Sequence, residues 1–332
     1  MNKAILNDIL INFNIKEHIV AIEYYRNIVD GDEIKIIAKI DLENKSSVVL
    51  RALSERGLKK EHVVSRCGYQ AFLGSNKFTV PYQYSCREGY CLIYKIQNVD
   101  TMVTLEQYVE PLSNGVISFY RYGQLCAKLH NIAGELKYNN IDAPNGVLAK
   151  IINLSSFIPY DKFKSSELNL KYNLIISTIT KMETMIKNKI SVTPKGFVHG
   201  DLSSDNLLIT PESEICIIDY NVSGNDILIG SMILNGCGLI YKSCINENSF
   251  DKELIAKCWC EYTDGYEKIR KISMDEKEIF NAIMSLVIFT IYVNNHSLNT
   301  TLQESNIEIH FDTIINLLNY DYENITFGGR VK

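Results

Sequence analysis

The chain has 332 residues, of which 46% are hydrophobic and 22% charged, and its formal net charge at pH 7 is −5. This length and composition predict a globular protein of two domains or lobes. The acidic balance argues against a nucleic-acid-binding protein, which would carry a clustered basic face. Nine cysteines, an odd number scattered through apolar segments, favour a reducing cytoplasm over a disulfide framework.

The apolar stretches of the chain predict neither a signal peptide nor a membrane-spanning segment. The first residues, MNKAILNDILINFN, do not resemble a secretory signal peptide, because Asp and Asn interrupt the apolar positions. The most apolar stretch, residues 279–293, is too short to span a bilayer and predicts a buried core helix. We therefore expect a cytoplasmic protein without membrane contact, either a monomer or a homodimer.

The first hundred residues predict mainly β-strands. Turn signals at Asp30-Gly31-Asp32 and Asn44-Lys45-Ser46 separate three β-rich segments, at residues 18–25, 33–40 and 47–53. A helical pattern follows at residues 58–73, and two further strands are expected at 89–96 and 101–109. The pattern predicts an antiparallel sheet with one helix inserted after the third strand.

After about residue 110 the pattern becomes mainly helical. Apolar residues recur at helical spacing in 116–132 and 166–186, and through much of 250–319. Three short strands, FVH, NLLI and EICIIDY, interrupt this half. The predicted fold is α+β and bilobal, with an N-terminal sheet lobe at residues 1–109, a mainly helical C-terminal lobe at 110–332, and a cleft between them.

Residues 195–221, KGFVHGDLSSDNLLITPESEICIIDYN, carry the densest set of polar groups on short apolar segments. If NLLI and EICIID pair as a hairpin, Asn206 and Asp219 come to the same end of it. Amide and carboxylate oxygens are the hard ligands that Mg²⁺ takes alongside phosphate oxygens. Asp201, which is not needed as a ligand, could accept a proton from a substrate hydroxyl, and these are the parts that phosphoryl transfer needs.

The alternative is that each of these residues is structural, with Asp201 in a turn, Asn206 opening a strand and Asp219 closing one. The joint pattern weighs against it, since H-x-D-x₄-N with an apolar run ending in Asp arises by chance in well under about one in a hundred such chains. We interpret His199 as a brace for the loop and Asp205 as a solvated turn residue.

The segment VHGDLSSDNLLI…IIDY resembles the catalytic and metal-binding loops of the aminoglycoside phosphotransferase and choline kinase family. YGQLCAKLHNIAG, at the start of the helical half, is similar to the family's helix ending in Leu-His. The resemblance spans residues 15–320. It implies the protein-kinase-like fold, ATP and Mg²⁺ as cofactors, Asp201 as catalytic base, and Asn206 and Asp219 as metal ligands.

The chain departs from the family pattern at the phosphate-holding lysine of the third strand, where it carries Arg51. A guanidinium can also hold phosphate, in a bidentate manner. Lys39 is the competing candidate, and either residue could instead be a surface charge on an amphipathic strand. We prefer Arg51 because the helix follows its strand directly. Its expected helix partner is Glu61, with Glu55 as the second choice.

Two further departures concern loops. The first hairpin has no G-x-G-x-x-G pattern, which argues against a protein kinase. Many family members carry an additional aspartate after the second metal ligand that braces the catalytic loop. Gly230 and Ser231 occupy that place here, so the brace is either absent or supplied differently.

The resemblance also implies where the substrates bind. The backbone from Glu106 to Val109, including Tyr108, would meet the adenine of ATP, with GTP not excluded. Leu208 and Ile218 would sandwich the base or simply fill the core. Two sets of residues are candidates for binding the acceptor. The first are carboxylates that could bind it or could lie on exposed helix faces: Asp264, Glu267, Asp275 and Glu276. The second are aromatic residues that could line its site or fill the core: Trp259, Tyr262 and Tyr266.

The leading hypothesis is an ATP- and Mg²⁺-dependent phosphotransferase. It would move the γ-phosphate to a hydroxyl of a small molecule, such as an aminoglycoside, an amino alcohol or a sugar. The alternative is a catalytically weak or inactive kinase-like binding or structural protein, similar to spore-coat-type relatives. Arg51 and the missing aspartate near residue 230 motivate that alternative.

Overall fold

A computed structural model of the chain describes residues 1–54, 58–112, 116–136, 141–156, 166–245, 252–295 and 304–327. The chain forms two compact units. The first comprises Met1–Val116 with Asp205–Asn221, and the second comprises Ile117–Ser204 with Val222–Lys332. The segment Asp205–Asn221, which the sequence pattern placed in the C-terminal lobe, therefore packs with the N-terminal part of the chain.

The first unit is built on an antiparallel five-stranded sheet in the order β1-β2-β3-β5-β4. The strands are β1 (Ile19–Asp30), β2 (Glu33–Leu42), β3 (Ser47–Ser54), β4 (Leu92–Ile96) and β5 (Val99–Gln107). Helix α2 (Lys60–Ser75) lies between β3 and β4 in the chain. The predicted sheet with one inserted helix is confirmed, although β1 continues well beyond its expected end at residue 25.

Helix α1 (Lys3–Asn12) packs on one face of this sheet. The Asn2 side chain caps it by accepting a hydrogen bond of 3.0 Å from the backbone N–H of Ile5. Its apolar residues form a core with alternate residues of β2 and β3, among them Leu6, Ile9, Leu10, Ile36, Ile40, Val48 and Leu50. Helix α1 was not among the predicted elements, although the spacing of Leu6, Ile9 and Leu10 is helical.

The opposite face of the sheet is partly covered by α2. Val63 and Cys67 of this helix pack with Cys91 and with Met102 of β5. Arg51 is paired with Ile37 of β2 on one side and with Thr104 of β5 on the other. Since paired residues share a face and alternate along a strand, Arg51 lies on the α2 face, away from the α1 core.

The second unit is mainly helical, as predicted. Its helices are α3 (Phe119–Ile132), α4 (Ser166–Lys189), α5 (Leu228–Ile245), α6 (Lys252–Ile269), α7 (Met274–Asn295), α8 (Glu304–Leu318) and α9 (Tyr322–Phe327). It also contains a two-stranded sheet of β6 (Lys195–Val198) and β9 (Gly224–Ile227). The sequence pattern predicted β6 as FVH but missed α5 and β9.

Two glycines allow the backbones of α3 and α6 to come into direct contact. A Cβ on Gly123 would lie 1.9 Å from the carbonyl oxygen of Tyr262, and one on Gly265 would lie 2.0 Å from that of Tyr120. Any larger side chain at either position would collide with the facing backbone. This close contact fixes the position of α3 against α6 within the second unit.

The most apolar predicted segment forms the middle of α7, and its side chains from Ile279 to Phe289 are largely buried. This confirms the core helix. In the part of the chain that the structure describes, no helix is both long and apolar enough to cross a bilayer.

Candidate active site

The hairpin that was predicted to carry the metal ligands is present in the first unit. Strands β7 (Leu207–Ile209) and β8 (Ile215–Ile217) are antiparallel, with Leu207 opposite Ile217. The N–H of Ile218 donates to the carbonyl oxygen of Asn206 at 3.0 Å, which continues the pairing past both strands. Asn206 and Asp219 therefore lie at the same end of the hairpin.

Asp219 adopts a left-handed backbone conformation, with φ of 60°. Asp is among the few non-glycine residues that tolerate this region. The conformation ends the strand and turns the chain directly after Ile218. The Asp219 side chain is partly exposed, at 37%, so that its carboxylate remains open to a ligand.

The hairpin is attached to the rest of the first unit by hydrogen bonds from both of its strands. The N–H of Ile217 donates to the carbonyl oxygen of Thr79 at 3.0 Å, and the N–H of Leu112 donates to that of Ile209 at 2.7 Å. The Thr79 hydroxyl also donates to the Glu214 carboxylate. These contacts hold Asn206 and Asp219 to the segments that follow α2 and β5.

Arg51 of β3 faces two carboxylates. Its Nε donates to Oε1 of Glu106 at 3.1 Å, and its Nη1 lies 3.8 Å from Oδ1 of Asp219. Burial alone would lower the pKa of Arg51, but the negative charges of Glu106 and Asp219 outweigh it and raise that pKa above its ordinary value. The guanidinium is thus a permanent, largely buried positive charge beside Asp219.

Glu106 is fixed from a second side by α2. Nε2 of Gln70 donates to Oε2 of Glu106 at 3.0 Å and to the carbonyl oxygen of Pro81 at 2.9 Å. Each carboxylate oxygen of Glu106 therefore accepts one hydrogen bond, from Arg51 or from Gln70. Gln70 was not among the predicted site residues. A signal was present, since Gln70 is a polar residue at helical spacing from the buried Val63 and Cys67.

A small cavity adjoins this group of polar side chains. It has a volume of about 30 Å³ and is lined by Arg51, Gln70, Glu106, Tyr220 and Asn221, among other residues of the first unit. A cavity of this size with polar side chains in its lining can hold one or two water molecules. Its lining extends the polar site from β3 and β5 to the residues that follow Asp219.

Lys39, the competing phosphate-binding candidate, and Glu61, the expected partner of Arg51, have other surroundings. Nζ of Lys39 lies 4.4 Å from the ring centroid of Tyr108 and 3.5 Å from Oδ1 of Asp41. Glu61, the expected partner of Arg51, is exposed in the first turn of α2. The partner of Arg51 is instead Glu106, and Glu55 falls outside the described residues.

The predicted adenine-binding backbone is partly occupied by sheet hydrogen bonds. The N–H of Gln107 donates to the carbonyl oxygen of Tyr82 at 2.8 Å, and the N–H of Tyr108 donates to that of Ser47 at 2.9 Å. Leu208 and Ile218 are half-buried, so both of the roles considered for them stay open.

Asp201 belongs to the second unit, where it lies in the loop after β6 with its side chain exposed. Gly200 before it has φ of 83°, and a Cβ at Gly200 would lie 2.1 Å from the carbonyl oxygen of Val222. The hydroxyl of Ser223 donates to the carbonyl oxygen of His199 at 3.0 Å. The backbone before Asp201 is therefore held tightly against the segment that leads into β9.

The acceptor candidates separate into exposed and buried residues. Asp264 is exposed and Glu267 half-buried, whereas Asp275 pairs with Lys189 at 3.4 Å. Glu276 is fully buried and pairs with Arg270. The three aromatic candidates are also buried and fill the core of the second unit: Trp259, Tyr262 and Tyr266.

No protein-family model matches this sequence, and no curated protein matches it. Many solved structures nevertheless share its fold. One is the amicoumacin kinase hAmiN in complex with AMP-PNP and Ca²⁺, which has a TM-score of 0.65 and 11% identity, over 98% of this chain and 97% of that chain.

Two other solved structures have similar coverage. A microcompartment-associated aminopropanol kinase has a TM-score of 0.58 and 14% identity over 99% of both chains. An aminoglycoside phosphotransferase from Alicyclobacillus acidocaldarius has a TM-score of 0.52 and 12% identity over 91% of both chains. The chain therefore has the α+β fold of aminoglycoside phosphotransferases and related small-molecule kinases, as the motif predicted.

Proposed function

We propose that this protein is an ATP- and Mg²⁺-dependent phosphotransferase that moves the γ-phosphoryl group to a hydroxyl of a small molecule. The observation that carries the proposal is the placement of Arg51 beside Asp219 in the first unit, at 3.8 Å. A buried guanidinium next to a partly exposed carboxylate offers a phosphate-binding cation and a metal-binding anion at one place. The fold similarity to solved small-molecule kinases supports it.

The proposed metal ligands suit magnesium. Mg²⁺ is usually held by one or two carboxylates together with phosphate oxygens and water. Asn206 and Asp219 offer one amide oxygen and one carboxylate, and among the described residues no group of three or more His, Cys, Asp and Glu side chains is placed to hold a metal ion. When bound, the ion would neutralise part of the charge on the transferred phosphoryl group.

In this proposal the protein's own residues bind the nucleotide, position the acceptor and accept its proton. Arg51 binds phosphate oxygens of the nucleotide, and Glu106 with Gln70 keeps the guanidinium in place. Asp201 orients the acceptor hydroxyl and takes its proton as the new bond to phosphorus forms. The backbone near Tyr108, together with Leu208 and Ile218, contacts the base of the nucleotide.

The test measures ADP release from Mg-ATP with a panel of acceptors: 1-amino-2-propanol, ethanolamine, choline and an aminoglycoside. We expect one class of acceptor to stimulate ADP release. Asp201→Asn should reduce that release by about 100-fold or more, given the size of general-base contributions, while AMP-PNP still raises the Tm. The matched control is Asp205→Asn, which changes another exposed aspartate of the same segment and should keep full activity. Normal turnover by Asp201→Asn would contradict the role of Asp201.

The second candidate is a kinase-like protein that binds the nucleotide without transferring phosphate. The observation that favours it is the ion pair of Arg51 with Glu106. A guanidinium held in this pair is less available to phosphate oxygens. A rise of the Tm with Mg-ATP but no ADP release with any acceptor would support this candidate over the first.

A further inference from the structure

The backbone directly after Asp201 is held by one side chain of α5. The N–H of Leu202 donates to Oδ1 of Asn235 at 3.2 Å. Leu202 is buried at 1% exposure and Asn235 at 6%, so this hydrogen bond is shielded from water. It fixes the peptide group that joins Asp201 to Leu202, and the exposed side chain of Asp201 projects from that fixed backbone.

Asn235 is itself held in orientation by its neighbours. Its Nδ2 donates to Oγ of Ser231 at 3.4 Å and to Sγ of Cys126 at 3.7 Å. Only the oxygen of the amide can accept from Leu202, and only the nitrogen can donate to Ser231 and Cys126. The amide therefore has one orientation that satisfies all three contacts.

The network continues through His130 of α3. Nε2 of His130 lies 3.3 Å from Oγ of Ser231, and Nδ1 lies 2.7 Å from the hydroxyl of Tyr266. Nη1 of Arg270 donates to the Tyr266 hydroxyl at 3.0 Å. Because Arg270 can only donate, the proton of Tyr266 is directed to Nδ1 of His130, which leaves the ring proton on Nε2 to donate to Ser231.

The far end of the network is fixed at the start of α7. Nη2 of Arg270 pairs with Oε1 of Glu276 at 2.9 Å, and Oε2 of Glu276 accepts from the N–H of Ser273 at 2.9 Å. The N–H of Glu276 donates to Oγ of Ser273 at 3.3 Å, so these two residues form a capping box. The network thus joins α3, α5, α6 and α7 to the loop of Asp201.

We propose that Asn235 and Ser231 are positioning residues for Asp201, acting through the backbone N–H of Leu202. The effect of these residues on catalysis rests on the proposed function, whereas their effect on the Leu202 backbone does not. Asn235 and Ser231 lie near the position at which the family resemblance predicts an aspartate that braces the catalytic loop. The chain supplies this brace with neutral groups, and the buried His130 network keeps Ser231 and Asn235 in position.

The first test measures hydrogen exchange at the backbone N–H of Leu202, which needs no activity. Asn235→Ala removes the acceptor and should speed exchange there by about tenfold, the equivalent of one buried hydrogen bond. Asn235→Asp keeps an acceptor for Leu202, and the Ser231 hydroxyl can donate to its second oxygen. This variant should therefore restore protection to within a few-fold of the wild type.

The second test measures turnover as ADP release from Mg-ATP with the best acceptor of the panel. Asn235→Ala should lower kcat by about 10- to 100-fold, as expected for a misplaced catalytic group, with the KM for ATP unchanged. Asn235→Asp should recover most of that loss. The matched control is Asn281→Ala, because Asn281 of α7 accepts from the N–H of Glu323 at 2.7 Å and does not contact the Asp201 loop.

The outcomes separate the two proposals. Unchanged exchange at Leu202 in Asn235→Ala, or equal loss of kcat in Asn235→Ala and Asn281→Ala, would overturn the positioning role. If the wild type releases no ADP with any acceptor, the proposed function fails, and the exchange comparison still decides whether Asn235 holds the loop.

Discussion

At the scale of single residues, the ion pair of Arg51 with Glu106 gives the first prediction. The pair is largely buried, with side-chain exposures of 15% and 10%. Glu106→Gln leaves Arg51 with only the more distant carboxylate of Asp219, at 3.8 Å, and should lower the free energy of unfolding by about 2 kcal/mol. It should also weaken Mg-AMP-PNP binding, because Arg51 loses its fixed position. Urea unfolding and calorimetric titration measure the two effects.

The control for this prediction is Glu61→Gln. Glu61 is the helix glutamate that the sequence pattern favoured as the partner of Arg51, and it is exposed. Its change should alter stability by no more than about 0.5 kcal/mol, as is usual for exposed sites. Equal losses in the two variants would show that Glu106 is not the significant partner of Arg51.

The sequence could single out Arg51 as a candidate phosphate-binding residue, but it could not indicate the partner of Arg51. An arginine on the third strand before a helix is visible in the local pattern. Its partner Glu106 is 55 residues away, and it meets Arg51 only because β3 and β5 pair in one particular register. Register depends on the packing of the whole sheet, so the expected backbone role of Glu106 at the adenine gave no indication of its side-chain role.

At the scale of the elements, the contact of α3 with α6 gives the next prediction. Gly123→Ala would place a methyl group 1.9 Å from the carbonyl oxygen of Tyr262, so the two helices must separate. Overpacking of this kind costs about 1–3 kcal/mol or more, despite the better helix propensity of alanine. Urea unfolding of the variant should show this loss.

A glycine of another helix provides the comparison. A Cβ on Gly238 of α5 would meet no atom within 4 Å, and Gly238 is exposed. Gly238→Ala should therefore gain up to about 1 kcal/mol from helix propensity alone. A gain in both variants would show that α3 and α6 can separate without loss of stability.

Some of the helices and strands could be predicted from the sequence, and others could not. The strands of the first unit and helices α2, α3 and α4 have clear periodicity between turn signals, and all were predicted. Strand β9 was missed because its four residues, Gly224–Ile227, carry a glycine and an aspartate and have no alternation of their own. They become a strand through their pairing with β6, which local patterns do not contain.

At the scale of the whole molecule, two buried ionisable groups of the second unit affect stability in opposite directions. Burial raises the pKa of Asp226 to about 7, although its carboxylate accepts hydrogen bonds from the N–H groups of Val147 and Leu148. A raised pKa means that the folded state binds this proton more tightly than the unfolded state. The stability that Asp226 contributes is therefore lost as the pH rises from about 4 towards 7.

His130 acts in the other direction. Burial, with a smaller contribution from the charge of Arg270, lowers the pKa of its imidazole from 6.5 to about 3. Between these values the unfolded chain binds a proton that the folded protein does not. The stability that depends on neutral His130 is present above pH 6.5 and is lost as the pH falls below it, by up to about 1.4 kcal/mol per pH unit.

The comparison of the wild type with His130→Gln isolates this effect, because Asp226 and the other carboxylates titrate in both proteins. Glutamine does not titrate, so the variant should be less stable by a constant amount above pH 7. Below pH 6.5 the difference should shrink, since only the wild type keeps losing stability through His130. Urea unfolding at pH 8, 7, 6 and 5 measures this difference. A difference that stays constant across the whole range would show that His130 titrates alike in the folded and unfolded protein, and that its burial does not keep it neutral.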